Sequence, residues 1–399
     1  MHRRRGSSSA RARAALLPLL AAAAGAIDCS FSSSYPRQYV AYRTAAGDGD
    51  LVADGTLGSA AWRAVGFSEP FVDISTATAP RLETRVKLRW DDTFLYVGAY
   101  LQEPQVWANI SWTCHCVSAA DQVIFHDNDF EVFVDADGST HGYKETEVNA
   151  ANGNGTSATW DLLLNRPYDD GGGENSSRVY GAAGWDMQPP LHVRTATNGA
   201  LNVPGSGATH WSVELALPLA QLAYNTTARA LPRAGDQWRI NFSRVEWAVR
   251  VVGGCYQKAP SCQSCPTPGT AAEDNWVWSP QGAIAMHLPE RWGVLQFAEG
   301  PVNGTAAVRN GEWTVRSVAM EVYYAQHAYS AAHNGSYAAA AAQLAPYVND
   351  PAIVSGACSA VPDIALAGGA AGFTATITSL DGTQRATVRD DRYLRVFHI

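Results

Sequence analysis

Between residues 50 and 298 the chain alternates apolar and polar positions in short runs punctuated by Gly, Pro, Asn and Asp. Clear examples are Arg85 to Trp90, Phe94 to Tyr100, Phe130 to Asp135, Tyr143 to Asn149, Trp211 to Leu217 and Trp238 to Val245. A period of two is the signature of strands that are buried on one side, and many short strands separated by turn residues predict a sandwich or barrel. Asp91-Asp92 and Asp135-Ala136-Asp137-Gly138 supply turns between successive strands, so neighbouring strands run antiparallel. Long Gly- and Asn-rich stretches, Ala151 to Ser157 and Asp169 to Ser177, read as surface loops.

The pattern changes after Gly300. Residues 299–310 read as a linker. From Trp313 to Tyr329, Val315, Val318, Ala319, Val322, Ala325 and Tyr329 recur at helical spacing, which predicts one amphipathic helix. A second, short helix is expected through the Ala-rich stretch Tyr337 to Leu344, ending before Pro346. Phe373, Ala375 and Ile377 then alternate with threonines, and Asp381-Gly382 predicts a hairpin turn toward Tyr393 to Phe397. The fold expected is therefore mainly β: a sandwich over 50–298 with a small α+β appendage over 311–399.

The N-terminus reads as a targeting segment. Five arginines precede an apolar run from Ala14 to Ala24, and Ala24-Gly25-Ala26 offers a small-residue cleavage site. That order fits a secretory signal peptide over 1–26, followed by a lead-in over 27–49, and the apolar run is too short to span a bilayer. Cleavage there would take the net charge from −8 to −13, which argues against nucleic-acid binding because phosphate contacts need clustered Lys and Arg. An exported chain would also let Asn-x-Ser/Thr sites carry glycans. Seven occur, at Asn109, Asn154, Asn175, Asn225, Asn241, Asn303 and Asn334, with Asn241 expected to be the exception inside an apolar run. The seven cysteines (29, 114, 116, 255, 262, 265 and 358) would mostly pair as disulfides, with one left over. Cys262 and Cys265 have zinc-like spacing but lack a second matching pair.

The stretch richest in chemistry runs from Phe125 through Glu131 to Asp135, followed by Tyr143 to Asn149. Alternation on a strand puts Tyr143, Glu145, Glu147 and Asn149 on one face. Acceptors beside an aromatic ring suit a sugar, whose C–H face covers the ring while its hydroxyls bond the carboxylates and amides. The thirteen tryptophans supply rings in abundance, although any one of them is more often core than platform.

Together with Trp62, Phe71, Thr84 to Asp92, Leu95 to Ala99, Trp160-Asp161, Trp211 to Pro218, Asp274 to Pro280 and the closing His287-x-Pro289-Glu290-Arg291-Trp292-Gly293, these segments resemble the family 9 carbohydrate-binding modules, in the subgroup that shares a jelly-roll sandwich with DOMON-type domains. The resemblance covers roughly residues 50–297. It implies non-catalytic recognition of polysaccharide or oligosaccharide ends in carbohydrate catabolism, with a glycoside hydrolase as partner. It further implies a sugar held between two aromatic rings, here Phe125 and Trp278, with Glu131, Glu147, Asn149 and Asn275 as polar contacts. Phe125 stands where well-known members have Trp, and Glu147 where they have Arg. Structural calcium is also implied, and Asp127, Asp129, Asp135 and Asp137 are the candidate ligands, with solvated turn acids as the competing reading.

Two other classes compete with sugar binding. An O-glycosyl hydrolase needs two carboxylates about 5–10 Å apart, a spacing that Glu131, Glu145 and Glu147 could meet on neighbouring strands. A haem-binding DOMON-type domain would use Met and His. Met286-His287 is adjacent to the closing strand, but consecutive strand residues face opposite ways and do not easily ligate one iron together. His287 with Glu290 resembles a metal pair, against which a hydrogen-bonded structural histidine at this Pro-containing turn is the better expectation.

Overall fold

The computed structural model describes residues 34–45, 47–110, 123–151, 159–168, 187, 192–259, 273–355, 363–369 and 372–399. The expected signal peptide, the sequons at Asn154 and Asn175, and every cysteine except Cys255 lie outside the described residues, and so do the disulfides expected of them.

The chain is built mainly from strands, as the alternation predicts. Strands β1 (Gln38–Arg43), β2 (Val72–Asp73), β3 (Thr84–Trp90), β4 (Phe94–Gln102), β5 (Asp129–Asp135), β6 (Tyr143–Asn149), β7 (Thr159–Leu164), β8 (His192–Asn198), β9 (His210–Pro218), β10 (Gln237–Trp247), β13 (Glu273–Val277) and β14 (Gly293–Ala298) form one curled sheet. A hairpin of β11 (Val249–Val252) and β12 (Cys255–Lys258) stands apart. The order β7-β6-β5-β10-β14-β1-β3-β4-β9-β8 folds back so that two halves face each other, with β13 and β2 branching from β10.

The shared core explains why these residues form strands. Val86, Leu88 and Trp90 on β3, Leu95, Val97, Ala99 and Leu101 on β4, and Val213, Leu215 and Leu217 on β9 all point inward from one half. Phe130, Val132 and Val134 on β5, Trp238, Ile240 and Phe242 on β10, and Leu295 and Phe297 on β14 meet them from the other. Each large side chain so buried contributes about 1.5–3 kcal/mol. Register keeps the pattern in phase: Leu88 lies opposite Val97, Val97 opposite Leu215, and Ile240 opposite Val134. A slip of one residue would send every one of these side chains to the other face.

Pairing is antiparallel except at β1, which runs parallel to both β14 and β3 and joins the two halves. Residues ahead of position 50 thus belong to the sheet. At the β3–β4 turn Asp91 Oδ1 accepts the backbone N–H groups of Thr93 and Phe94, both at 2.7 Å, as a side chain that mimics a backbone turn should.

The C-terminal part has its own core. The helix Trp313–Ala332 lays Val315, Val318, Ala319, Val322 and Ala325 on a four-stranded sheet of β15 (Asp363–Gly369), β16 (Gly372–Thr378), β17 (Gln384–Arg389) and β18 (Leu394–His398). The short helix expected over Tyr337 to Leu344 is only a 3-10 turn, Ala341–Leu344. The Asp381-Gly382 turn leads into β17, not directly into the strand at Tyr393 to Phe397, because β16 pairs with β17 and β17 in turn with β18.

This unit docks on the turn after β5: Leu394 N–H donates to Ser139 O at 3.1 Å, Thr140 Oγ1 to Arg392 O at 2.9 Å, and Arg316 Nη1 to Gly138 O at 2.6 Å. Among the described residues no helix is long and apolar enough to cross a membrane.

Candidate functional site

Strands β5 and β6 carry two kinds of side chain. Phe130, Val132 and Val134 of β5 and Val148 of β6 enter the main core. The alternate residues, Asp129, Glu131 and Phe133 on β5 and Tyr143, Glu145, Glu147 and Asn149 on β6, share the outer face, as the alternation predicts. Glu131 lies directly opposite Glu147, Asp129 opposite Asn149, and Phe133 opposite Glu145.

That outer face is covered. Tyr143, Phe133 and Trp292 form a small apolar cluster with Leu162, Leu164 and Ile124, and the Tyr143 hydroxyl shares a 2.8 Å hydrogen bond with His287 Nδ1. His287 thus has the structural role expected of it. Further along, Glu131 is 6% exposed, Glu145 3%, Glu147 1% and Asp129 0%.

The acids converge there. Carboxylate oxygens of Asp129, Glu131 and Glu147 lie within 4.8 Å of one another. Burial pushes the Glu147 carboxyl well above the usual carboxylate range, and the negative neighbours Glu131, Glu145 and Asp129 push it further. Asp129 is raised in the same way, by burial first and then by Glu131, against the single N–H that Val245 donates to its Oδ1 at 3.1 Å. Glu147 Oε2 accepts one bond, from Phe125 N–H at 3.1 Å. Asp129 Oδ2 and Glu145 Oε2 are buried without a hydrogen-bond partner among the described residues.

Asn149 is wholly buried and its amide is engaged within the chain. Its Nδ2 donates to Ile110 O and to Asp127 Oδ2, and its Oδ1 accepts from Ala151 N–H. Asp127 Oδ2 also takes the backbone N–H groups of Asn109 and Ile110, at 2.8 and 2.7 Å. These donors partly offset the burial that raises its carboxyl.

The expected calcium ligands therefore do not come together. Asp129 and Asp135 stand at opposite ends of one strand, about 20 Å apart at the usual strand rise. Asp135 instead accepts the N–H groups of Gly138 and Thr140, and Asp137 those of Ser139 and Thr227 together with the Thr227 hydroxyl. Of the four, Asp129 is the one found in a group of three acids, with Glu131 and Glu147.

Trp278 also departs from expectation. It is 0% exposed and belongs to the main core, with its ring 5.8 Å from Phe242. Gly293 lies so close that a Cβ there would come within 2.2 Å of the indole. Trp278 follows β13 directly and shares the core with Trp276 of that strand, whereas Asn275, next to Trp276 on the strand, faces the other way. Asn275 pairs with Val245, two residues from the Ser243 that sits opposite Glu131, so Asn275 shares the acids' face and Trp278 does not. Trp278 packs the interior and presents no stacking platform.

A different aromatic occupies that side. Trp247, at the end of β10, falls on the same face as Ser243 and is half-buried, as is Phe125. Its Nε1 donates to Phe125 O at 2.8 Å, and Lys258 Nζ lies 3.3 Å from its ring centroid. The even spacing from Ser243 to Trp247 was the available signal, but it acquires meaning only once Ser243 is known to face Glu131.

Behind the face, Arg244 is wholly buried between Glu103 at 2.9 Å and Glu246 at 2.8 Å. Asn128 ties this network to the loop ahead of β5, donating to Glu246 and accepting from Trp247 N–H.

The sequence matches no family model and no curated protein. Among solved structures, the chain is similar to a family 9 carbohydrate-binding module from Caldicellulosiruptor kristjanssonii, in complex with cellotriose (14% identity, TM-score 0.35) and with glucose (13% identity, TM-score 0.35), the alignment covering 69% of this chain and 100% of that one in each case. It is also similar to a candidate carbohydrate-binding protein from Bacteroides uniformis, at 14% identity and a TM-score of 0.39, over 66% of this chain and 99% of that one. The likeness is loose, and the chemistry of the site rests on this chain's own side chains.

Proposed function

We propose that this chain binds carbohydrate without catalysis, through the outer face of β5 and β6. The observation that carries the reading is the convergence of Asp129, Glu131 and Glu147 behind two half-buried aromatic residues, Phe125 and Trp247. Buried carboxylates with few donors of their own are costly, and sugar hydroxyls are donors of the right kind and spacing. In this reading Phe125 and Trp247 cover a ring face, the partly exposed Asn275 bonds hydroxyls beside them, Glu131 and Glu147 take hydroxyls only where the bound ring displaces the cover over them, and Asn149 holds Asp127 in place.

The finer reading is that of a family 9-like module that takes the ends of polysaccharide or oligosaccharide chains, exported through the secretory route and working alongside a glycoside hydrolase. Exposed sequons at Asn109, Asn225, Asn303 and Asn334 are compatible with export, whereas Asn241 is wholly buried with its amide bonded to Ser279.

The test is a glycan array followed by calorimetry on the purified chain, repeated with Trp247→Ala and Glu131→Ala. Removing one stacking ring should weaken binding by roughly 1–3 kcal/mol, or about 5- to 150-fold, as other ring-stacking contacts do. Binding that survives both substitutions unchanged would move the site elsewhere, and no binding to any glycan would leave an architectural module.

A further inference from the structure

We propose that the cleft between the sandwich and the helix Trp313–Ala332 binds a small hydroxylated carboxylate of the size of a sugar acid, with Arg37, Arg239 and Arg291 holding its carboxylate. The cleft has a volume of about 510 Å³, within the range of small-molecule sites. It is a different place from the acids of β5 and β6. Arg239 stands opposite Asp135, four residues along β10 from the Ser243 opposite Glu131, or about 13 Å at the usual strand rise.

The charge of the lining carries the argument. The whole chain has a net charge of −8, yet four arginines, Arg37, Arg239, Arg291 and Arg316, line this cleft against two acids, Glu290 and Glu321. Neither acid pairs with them. Glu290 accepts from the Tyr324 hydroxyl and lies 3.9 Å from Arg392, and Glu321 takes the Asn349 amide at 3.0 and 3.1 Å. Arg316 is held by Glu312 at 2.7 Å. That leaves Arg37, Arg239 and Arg291 in no ion pair among the described residues, their guanidinium groups bonded only to the backbone oxygens of Pro70, Trp292 and Gln281.

Arg239 is the most constrained of the three. It is 6% exposed, and its guanidinium carbon lies 5.0 Å from the Trp313 ring centroid. A buried charge without a counter-ion is costly, and burial together with the like charge of Arg316 pushes this guanidinium down to about 10. A carboxylate is the natural counter-ion, because its two oxygens accept parallel N–H bonds from one guanidinium fork.

A second observation says what else the ligand carries. Gln281 is 2% exposed and lines the cleft, and while its Nε2 donates to Ser279 O at 3.0 Å, its Oε1 is buried with no hydrogen-bond partner among the described residues. Buried amide oxygens ordinarily accept a bond, so this one calls for a donor from the ligand. The buried Ser317 Oγ on the same wall is likewise without a partner. Sulfate brings acceptors alone, whereas a hydroxylated acid brings acceptors for the arginines and an O–H for Gln281.

The purified full chain is titrated with sodium glucuronate and sodium galacturonate, with sodium sulfate as the bare anion, by calorimetry and by thermal unfolding at constant ionic strength. We expect one equivalent of at least one of the two sugar acids per chain, with a midpoint that rises by roughly 5 °C at a hundred times the Kd, and sulfate at least tenfold weaker. Arg239→Gln should weaken that binding at least tenfold while keeping the circular dichroism of the parent, and Arg37→Gln serves if that variant does not fold. No heat and no shift with either sugar acid would overturn the proposal. So would sulfate that binds as tightly as they do, or an arginine variant that binds them as the parent does.

Discussion

The two ends of β5 both carry paired acids, yet the protein treats them in opposite ways. At the far end, where the strand turns toward β6, Asp135 and Asp137 are met by backbone N–H groups and by Thr227, and the docked C-terminal unit seals the turn. At the near end, Asp129 and Glu147 have one N–H each and face other carboxylates. The difference shows in the protons. The donors from Ser139 and Thr227 hold Asp137 below the usual carboxylate range in spite of burial, whereas Asp129 and Glu147 stand well above it. Asp135 is raised as well, by burial and by Asp137 beside it, in spite of its two N–H donors, so the contrast in donor supply holds between Asp137 and the acids at the near end.

The largest effect that would break this comparison is at the turn. Asp137→Ala strands the N–H groups of Ser139 and Thr227 and should cost about 2–3 kcal/mol in urea denaturation at neutral pH. A loss near zero would mean that the donors at the far end do not matter.

At the near end the sign should reverse. Asp129→Asn keeps an oxygen for Val245 N–H and removes one of the crowded acids, so it should stabilise by about 1–2 kcal/mol in urea denaturation at neutral pH. Destabilisation instead would show that Asp129 is an ordinary structural acid.

The third prediction is a slope with pH, the smallest change in any single step. Asp135 is wholly buried, and desolvation, with Asp137 beside it, pushes its carboxyl up to about 7. The folded state thus holds a proton that the unfolded state has released above about 4, so this residue's contribution to stability falls as pH rises from about 4 to 7, by at most about 1.4 kcal/mol per pH unit. In paired thermal scans the stability of the parent relative to Asp135→Asn should decline across that window, and a constant difference would remove Asp135 as the cause.

Much of this was legible in the chain. A period of two is a local property, and it identified the strands of the sandwich and placed Tyr143, Glu145, Glu147 and Asn149 on one face. A period of 3.6 located the helix Trp313–Ala332, which runs three residues beyond the predicted end. Failures came where the answer depends on a distant segment. Whether Trp278 faces out or in is set by the pairing of β13 with β10, and a motif of matching residues does not carry that parity.

By itself, then, the sequence determined which residues are strand, which alternate, and that an unusual density of acids sits on β5 and β6. Only the tertiary structure decided that β1 runs parallel between β14 and β3, that Trp247 and not Trp278 lies on the acids' side, and that Asp129 joins Glu131 and Glu147 while Asp135 and Asp137 join a turn. The physical reason is that side-chain direction along a strand follows from local backbone geometry. Which faces meet, and which carboxylates go without donors, follows from register between segments more than a hundred residues apart, such as Glu131 opposite Ser243.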